Sequence, residues 1–185
     1  CEGLLRLRGI WYNRPYFTSH HGRTYLIESF SNTVGGGQSA LGHNYPNDLH
    51  GKMLFIVNPA AGNGKGRKTW HRLESILQRD DIPHEVVMTS GPKEAIELAA
   101  RAVERQPLAI VAVGGDGTLH EVVQGLATKA RSCPVTYIPA GSGNDFARAL
   151  HIPFDPEEAI KRLLDTLKTT TSGKPPCSPI DMLRF

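Results

Sequence analysis

Apolar and polar positions follow two rhythms along this chain. Met53–Val57, His84–Met88, Leu108–Val113 and Val135–Ile138 are short runs rich in Val and Ile and bounded by Gly or Pro. Runs of that length and make-up predict buried strands of a parallel sheet. Between them the spacing becomes helical. Ala95, Leu98, Ala99, Ala102 and Val103 fall at i, i+3, i+4, i+7 and i+8, and Leu119, Val122, Val123 and Leu126 repeat the first steps of that pattern, which sets an apolar stripe on one face of a helix. Arg67 to Arg79 predicts another helix with Trp70, Leu73, Ile76 and Leu77 turned inward. Phe146, Ala149 and Leu150 form a short turn after Asp145, and Pro156 opens a helix carrying Ile160, Leu163, Leu164 and Leu167, proline being suited to the first helical position. Strand and helix alternate, so the class is α/β: an open, mostly parallel sheet with helices on both faces and right-handed crossovers.

Before Gly51 the rhythm is absent. Trp11, Tyr12, Tyr16, Phe17, Tyr25 and Phe30 recur without a stable period, and a Gly/Ser stretch over 34–42 leads to Asn44-Tyr45-Pro46-Asn47-Asp48. Residues 1–50 are therefore expected to be a poorly ordered extension, and 51–185 a single domain. Deleting the chain up to His50 should then leave thermal stability unchanged. The chain opens on Cys1, its first methionine is Met53, and a last strand-like run begins at Ile180. Neither a signal peptide nor a transit peptide fits the first residues, which have no apolar h-region and few arginines.

Composition narrows the function classes. Hydrophobic residues make up 39% and charged residues 21%, with 19 Gly and 13 Pro among 185 residues, which excludes disordered, collagenous and coiled-coil chains. No apolar run reaches the roughly 18–20 residues of a membrane span. A formal net charge of +3 is too small and dispersed to indicate a nucleic-acid partner. Cys1, Cys133 and Cys177 have no metal-ligand spacing and read as inert thiols of a reducing compartment. His20, His21, His43 and His50 match no metal site and read as solvated loop residues.

Candidate chemistry lies in three loops, because open α/β sheets bind ligands beyond the carboxyl ends of their strands. The first is Asn58-Pro59-Ala60-Ala61-Gly62-Asn63-Gly64-Lys65-Gly66. Glycines let backbone N–H groups approach a phosphate, the helix that follows adds its positive end, and Lys65 supplies a mobile cation. Lys68-Thr69 stand at a Walker A distance from Gly62, but Arg67 occupies the second glycine position, which rejects that motif and the Rossmann fingerprint alike. Taken alone, this loop reads equally well as a flexible strand-to-helix turn.

The second loop is Gly114-Gly115-Asp116-Gly117-Thr118, leading into Leu119-His120-Glu121. A carboxylate beside phosphates repels them unless a divalent cation neutralises the pair, so Asp116 points to a magnesium–nucleotide complex. The third is Gly141-Ser142-Gly143-Asn144-Asp145-Phe146-Ala147-Arg148. Asn144 or Asp145 could serve simply as a helix N-cap. Capping does not explain one composition recurring on three loops of one edge.

These three motifs, in this order, resemble the catalytic domain of the diacylglycerol kinase family, which includes sphingosine and ceramide kinases and bacterial lipid kinases. The likeness spans about residues 52–184. It implies an NAD kinase/diacylglycerol kinase-like N-terminal domain, with a C-terminal β-sandwich substrate domain falling beyond residue 185. The activity implied is ATP-dependent, Mg²⁺-assisted phosphorylation of a lipid hydroxyl, of the diacylglycerol or sphingosine kind. Carried onto this chain, Asn58, Pro59, Ala60, Ala61, Gly62 and Lys65 would hold phosphates, as would Gly114, Gly115, Gly117, Thr118, Leu119, His120 and Glu121 on the phosphate and ribose side. Gly141, Ser142, Gly143 and Asn144 would complete the cradle, with hydroxyl contacts from Thr89 and Ser142. Asp116, Asp145 and Asp181 match the aspartates that support Mg²⁺ in bacterial members. In sphingosine kinases the Gly-Gly-Asp carboxylate is itself the proposed base, so Asp116 fits either a metal-supporting or a catalytic role. His120 stands where bacterial members often carry Asn, and Ile180-Asp181 is followed by Met182-Leu183 rather than the usual small residue. The resemblance further implies a lipid met at a membrane surface, a cytoplasmic location at the inner membrane face, and a homodimer for the full-length form. Two other readings share parts of the pattern: an NAD kinase, which would use Gly114 to Thr118 but carry Asn-Glu in place of Gly141 to Arg148, and a non-catalytic nucleotide-binding fragment.

Overall fold

The computed structural model describes the backbone over residues 5–11, 52–128, 133–169 and 177–182, with side chains over 52–128 and 133–166. Strands β1 (Leu5–Trp11), β2 (Met53–Val57), β3 (His84–Met88), β4 (Ile110–Gly114), β5 (Val135–Pro139) and β6 (Cys177–Met182) form one sheet in the order β3-β2-β4-β5-β1-β6. The first five run parallel, and β6 is antiparallel to β1. Helices α1 (Ala61–Arg79), α2 (Glu94–Ala102), α3 (Asp116–Ala127), α4 (Asp145–Ala149) and α5 (Pro156–Thr169) make the crossovers. The expected α/β architecture is the one observed.

Alternation of side chains along the central strands builds two cores. Met53, Phe55, Val57, Val111, Val113 and Ile138 meet Trp70, Leu73 and Leu77 of α1 and Ile160, Leu163 and Leu164 of α5. Leu54, Ile56, Ile110, Ala112, Val135 and Tyr137 face the other way, onto Ala95, Ala99 and Ala102 of α2 and Leu119, Val122, Val123 and Leu126 of α3. Residues such as Phe55, Ile56 and Ile110 are fully buried, and each such side chain contributes about 1.5–3 kcal/mol. Cys133 sits in this core, where burial pushes its thiol up to about 12, in keeping with an inert thiol; the other two cysteines' side chains lie outside the described residues.

Three elements differ from the hydropathy expectation. His84–Met88 is an edge strand and only half covered, with Val86 37% and Met88 42% exposed; a short apolar run looks the same whether it has one neighbour or two. Helix α1 is assigned from Ala61, but Gly62, Asn63 and Gly64 have φ of 56°, 57° and 86°. That left-handed stretch interrupts the helix, and the regular part follows it, close to the expected Arg67. Finally, Leu5–Trp11 forms β1, where no element is expected. The other residues of 1–50, with the four histidines there and the extension expected over them, lie outside the described residues, as do 170–176 and 183–185.

Register sets the height of the loops. Val57, Val113 and Ile138 are lateral partners, as are Gly114 and Pro139, and Val57 also pairs with Met88. The chain therefore leaves β2, β3, β4 and β5 at one level and on one edge.

Candidate functional site

At that edge the loops after β2, β4 and β5 are locked to one another by short polar contacts. Asn58 leaves β2 with its own N–H donating to the Val113 carbonyl at 2.9 Å. Its side-chain oxygen accepts the Ala60 N–H at 3.1 Å, and its Nδ2 donates to Thr118 Oγ1 at 3.1 Å. An asparagine here ties the first loop to the first turn of α3, since its amide accepts on the oxygen and donates from the nitrogen at once. Pro59 and Ala60 continue the turn, and Lys65 is exposed beyond the left-handed residues.

The second and third loops touch directly. The Gly114 carbonyl accepts N–H bonds from Ala140 at 2.6 Å and Gly141 at 3.0 Å. A Cβ on Gly141 would stand 2.5 Å from the Gly115 Cα, a separation that non-bonded carbons do not tolerate, so only glycine permits this approach.

Asp116 completes the junction. Its Oδ2 accepts the Asp145 N–H at 3.0 Å and its Oδ1 the Phe146 N–H at 3.1 Å, so a carboxylate of the second loop satisfies the open amides at the start of α4. Asn144 does something else. Adopting a left-handed φ of 57° and almost wholly buried, it donates from Nδ2 to the Gly141 carbonyl at 2.9 Å and accepts the Gly141 N–H on Oδ1 at 2.9 Å. Neither Asn144 nor Asp145 caps α4 with its side chain; the cap comes from Asp116.

Asp145 presents its carboxylate to solvent, 87% exposed, in an ion pair with Arg148 at 2.7 Å. Arg148 also donates to the Gly143 carbonyl and stacks its guanidinium over Phe154. Gly143 lies between the two carboxylates. A Cβ there would stand 3.3 Å from Asp116 Oδ2 and 3.8 Å from Asp145 Oδ2, filling the space that both acids border. Two carboxylates around an open notch suit Mg²⁺, which keeps several waters and is bound through one or two carboxylates together with phosphate oxygens.

Other expected residues are placed as follows. Thr89 is buried at the carboxyl end of β3, its N–H donating to the Val57 carbonyl at 2.8 Å. Gly117, Thr118, Leu119, His120 and Glu121 lie on the first two turns of α3, where His120 Nε2 accepts from Gln124 Nε2 at 2.9 Å. Ser142 is exposed at the tip of the third loop. Asp181 does not join the other two aspartates. It pairs with Arg6 in β1, whose Ile10 is level with Val135 at the start of β5. By strand rise that sets Asp181 on the order of 25 Å down the sheet from the loops. Among the described residues no three His, Cys, Asp or Glu side chains are grouped to hold a metal.

One residue of the site was not expected. Tyr137 is 1% exposed in β5, beneath the loops, with its hydroxyl 3.1 Å from the Gly114 carbonyl and 3.0 Å from Asn144 Oδ1. Burial pushes its phenol well above the ordinary tyrosine range, and the nearby Asp116 carboxylate adds to the shift. The signal was a tyrosine in a strand expected to be buried, since a buried phenol needs a partner for its O–H.

Comparison with known proteins gives a consistent picture. A family model of the diacylglycerol kinase catalytic domain matches residues 52–174. A diacylglycerol kinase of Staphylococcus saprophyticus is 34% identical over 114 residues, 62% of this chain and 37% of its own length. Sphingoid long-chain bases kinase 1 of Arabidopsis thaliana is 39% identical over 100 residues, 50% of this chain and 13% of its own. A crystal structure of a diacylglycerol kinase from Bacillus anthracis str. Sterne superposes with a TM-score of 0.53 at 29% identity, covering 62% of this chain and 42% of that one. The chain thus spans less than half the length of these relatives. No helix among the described residues is long and apolar enough to cross a membrane.

Proposed function

The chain belongs to the diacylglycerol kinase catalytic domain family, and from that premise we propose that it is the nucleotide-holding part of a lipid kinase that moves the terminal phosphoryl group of Mg·ATP onto a lipid hydroxyl. The observation that carries this reading is the meeting of three glycine loops at one sheet edge, with Asp116 and Asp145 bordering an open notch at Gly143. Phosphoryl transfer asks a protein for little covalent chemistry; it needs phosphates positioned and their charge offset.

Each part has a matching task. The left-handed glycine turn ahead of the regular part of α1 and the first turn of α3 would offer backbone N–H groups to an anion, with the partial positive charge of a helix start behind each, and Lys65 is an exposed cation able to swing onto a phosphate oxygen. Asp116 and Asp145 would hold Mg²⁺, which when bound neutralises phosphate charge. Asp116 uses both oxygens to cap α4, yet each oxygen keeps a second lone pair for the hydrogen of a metal-bound water. We propose that the same carboxylate fixes the third loop and supports the metal, and that Asp181 takes no part.

The relatives are much longer than this chain, so the assay belongs on the full-length protein. Labelled ATP is offered with Mg²⁺ and, in separate reactions, diacylglycerol, a sphingoid base or NAD. Label in a lipid supports the reading and names the acceptor class. Label in NAD alone, or in none of the three while the protein is folded, overturns it.

A further inference from the structure

Beneath the second and third loops a single phenol faces two acceptors. The Gly114 carbonyl accepts the Ala140 N–H at 2.6 Å and shares the Gly141 N–H with Asn144 Oδ1, so besides Tyr137 the amide oxygen has that shared donor alone among the described residues, while the carbonyl has a donor of its own. Tyr137 has one hydrogen to give, and Asn144 is the acceptor with a place for it. The hydroxyl therefore holds Asn144 from below while its oxygen abuts Gly114, the residue from which the second loop departs. The ring is packed independently, edge-on to Phe146 with centroids 6.2 Å apart.

We infer that Tyr137 is a positioning residue for the nucleotide, setting through Asn144 the spacing between the Gly114–Asp116 turn and the Gly141–Asp145 loop. This rests on the nucleotide reading of the site. Loss of the hydroxyl leaves Asn144 Oδ1 with a single donor and a buried lone pair unsatisfied, a condition that a loop relieves by shifting. The third loop then moves relative to the second, and any phosphate spanning both loses contacts on one side.

Tyr137→Phe removes one oxygen and keeps the ring. In calorimetric titration of the full chain with Mg·ADP, well below the melting temperature of each variant, Tyr137→Phe should raise Kd about tenfold. Asn144→Gly, which accepts the left-handed backbone, should do the same, and adding Tyr137→Phe to it should change nothing further. That lack of additivity is the readout a merely structural role would not give, because such a role lowers the melting temperature while the folded fraction binds as before. Should Tyr137→Phe fail to fold, an unchanged Kd in Asn144→Gly still overturns the inference, because Asn144 is the residue through which Tyr137 is held to act. A Kd within twofold of the parent, or additive effects, would overturn the inference and leave the nucleotide reading standing. No binding by the parent chain at millimolar Mg·ADP would overturn both.

Discussion

Asp116 receives the backbone N–H of Asp145 on Oδ2 at 3.0 Å, so an acid at the head of one helix caps the head of another. The bond joins two loops that are 29 residues apart in the chain, and it gives Asp116 a structural task alongside any chemical one. Asp116→Asn turns an acceptor into a donor facing one of the two amides. Loss of about 1–2 kcal/mol is expected, or roughly 3–6 °C in melting temperature, together with loss of Mg²⁺-dependent kinase activity. Differential scanning calorimetry beside the lipid assay checks both. Unchanged turnover with unchanged melting would mean that the cap is absent in solution and the acid idle.

Asp145 should behave differently although it is the next acid in the same notch. Its carboxylate is exposed and, among the described residues, paired with Arg148, a contact of the kind worth about 0–1 kcal/mol. Asp145→Asn should therefore leave the melting temperature nearly unchanged and raise the Mg²⁺ concentration needed for half-maximal activity. A magnesium titration separates the outcomes: an unaltered midpoint removes Asp145 from the metal site.

Much of this arrangement was legible in the sequence. The three loop motifs and the strand-to-helix junctions follow from composition and spacing, and the grouping of Asp116 with Asp145 follows from the family resemblance that those motifs carry. Asp181 was misleading, since it was carried over on the Ile-Asp pair alone while its position depends on an antiparallel strand pairing that no local signal encodes. Tyr137 was hidden for the opposite reason: its role arises from two acceptors contributed by loops on either side of β5. In β1 the alternation Leu5, Arg6, Leu7, Arg8 is a period-two signal, but it is short and stands among irregular aromatics.

Gly117 offers a test in which stability and binding move in opposite directions. It lies in the first turn of α3, and a Cβ built on it meets nothing within 4 Å. The fold itself thus has no steric need for glycine there. Gly117→Ala should stabilise the helix by about 0.5–1 kcal/mol while weakening Mg·ADP binding, because on the proposed reading the vacant space is where a phosphate approaches the amides. Binding equal to the parent would show that the space belongs to solvent.

Asp155 governs part of the acid response. One of its oxygens caps α5 through the N–H groups of Glu157 and Glu158 at 3.0 and 3.1 Å, and the other takes Arg72 of α1 at 2.9 Å. The amide bond from Glu158 first, and then Arg72, hold its carboxyl below the usual range, and Ser90 does the same for Glu94. A carboxyl lowered on folding stabilises the protein above its unfolded pKa of about 4, and that contribution disappears as pH falls through the folded value. Asp155→Asn keeps a capping oxygen but cannot ionise. Its melting temperature should start lower at pH 6 and fall less steeply toward pH 3 than that of the parent, Glu94 supplying the remainder of the slope. Parallel curves would mean that Asp155 contributes no charge-dependent stability.

The last test concerns the first residues of the chain. Hydropathy alone leads one to expect that deletion up to His50 is harmless, whereas the sheet places Leu5–Trp11 between β5 and β6, with Ile10 level with Val135. Removing it uncovers the edge of β5 and deprives β6 of its partner. A bared strand edge leaves a row of N–H and C=O groups unpaired and invites pairing with other chains. β5 is also the strand that carries Tyr137 and delivers the third loop, so fraying there reaches the site. Deletion of residues 1–50 should lower the melting temperature by roughly 5–10 °C, which corresponds to about 2–3 kcal/mol for a domain of this size, and should increase aggregation on heating. Thermal melts with light scattering on the parent and the deleted chain decide the matter. An unchanged melting temperature would mean that β1 adds nothing to the sheet, and that the parallel core from β3 to β5 stands on its own.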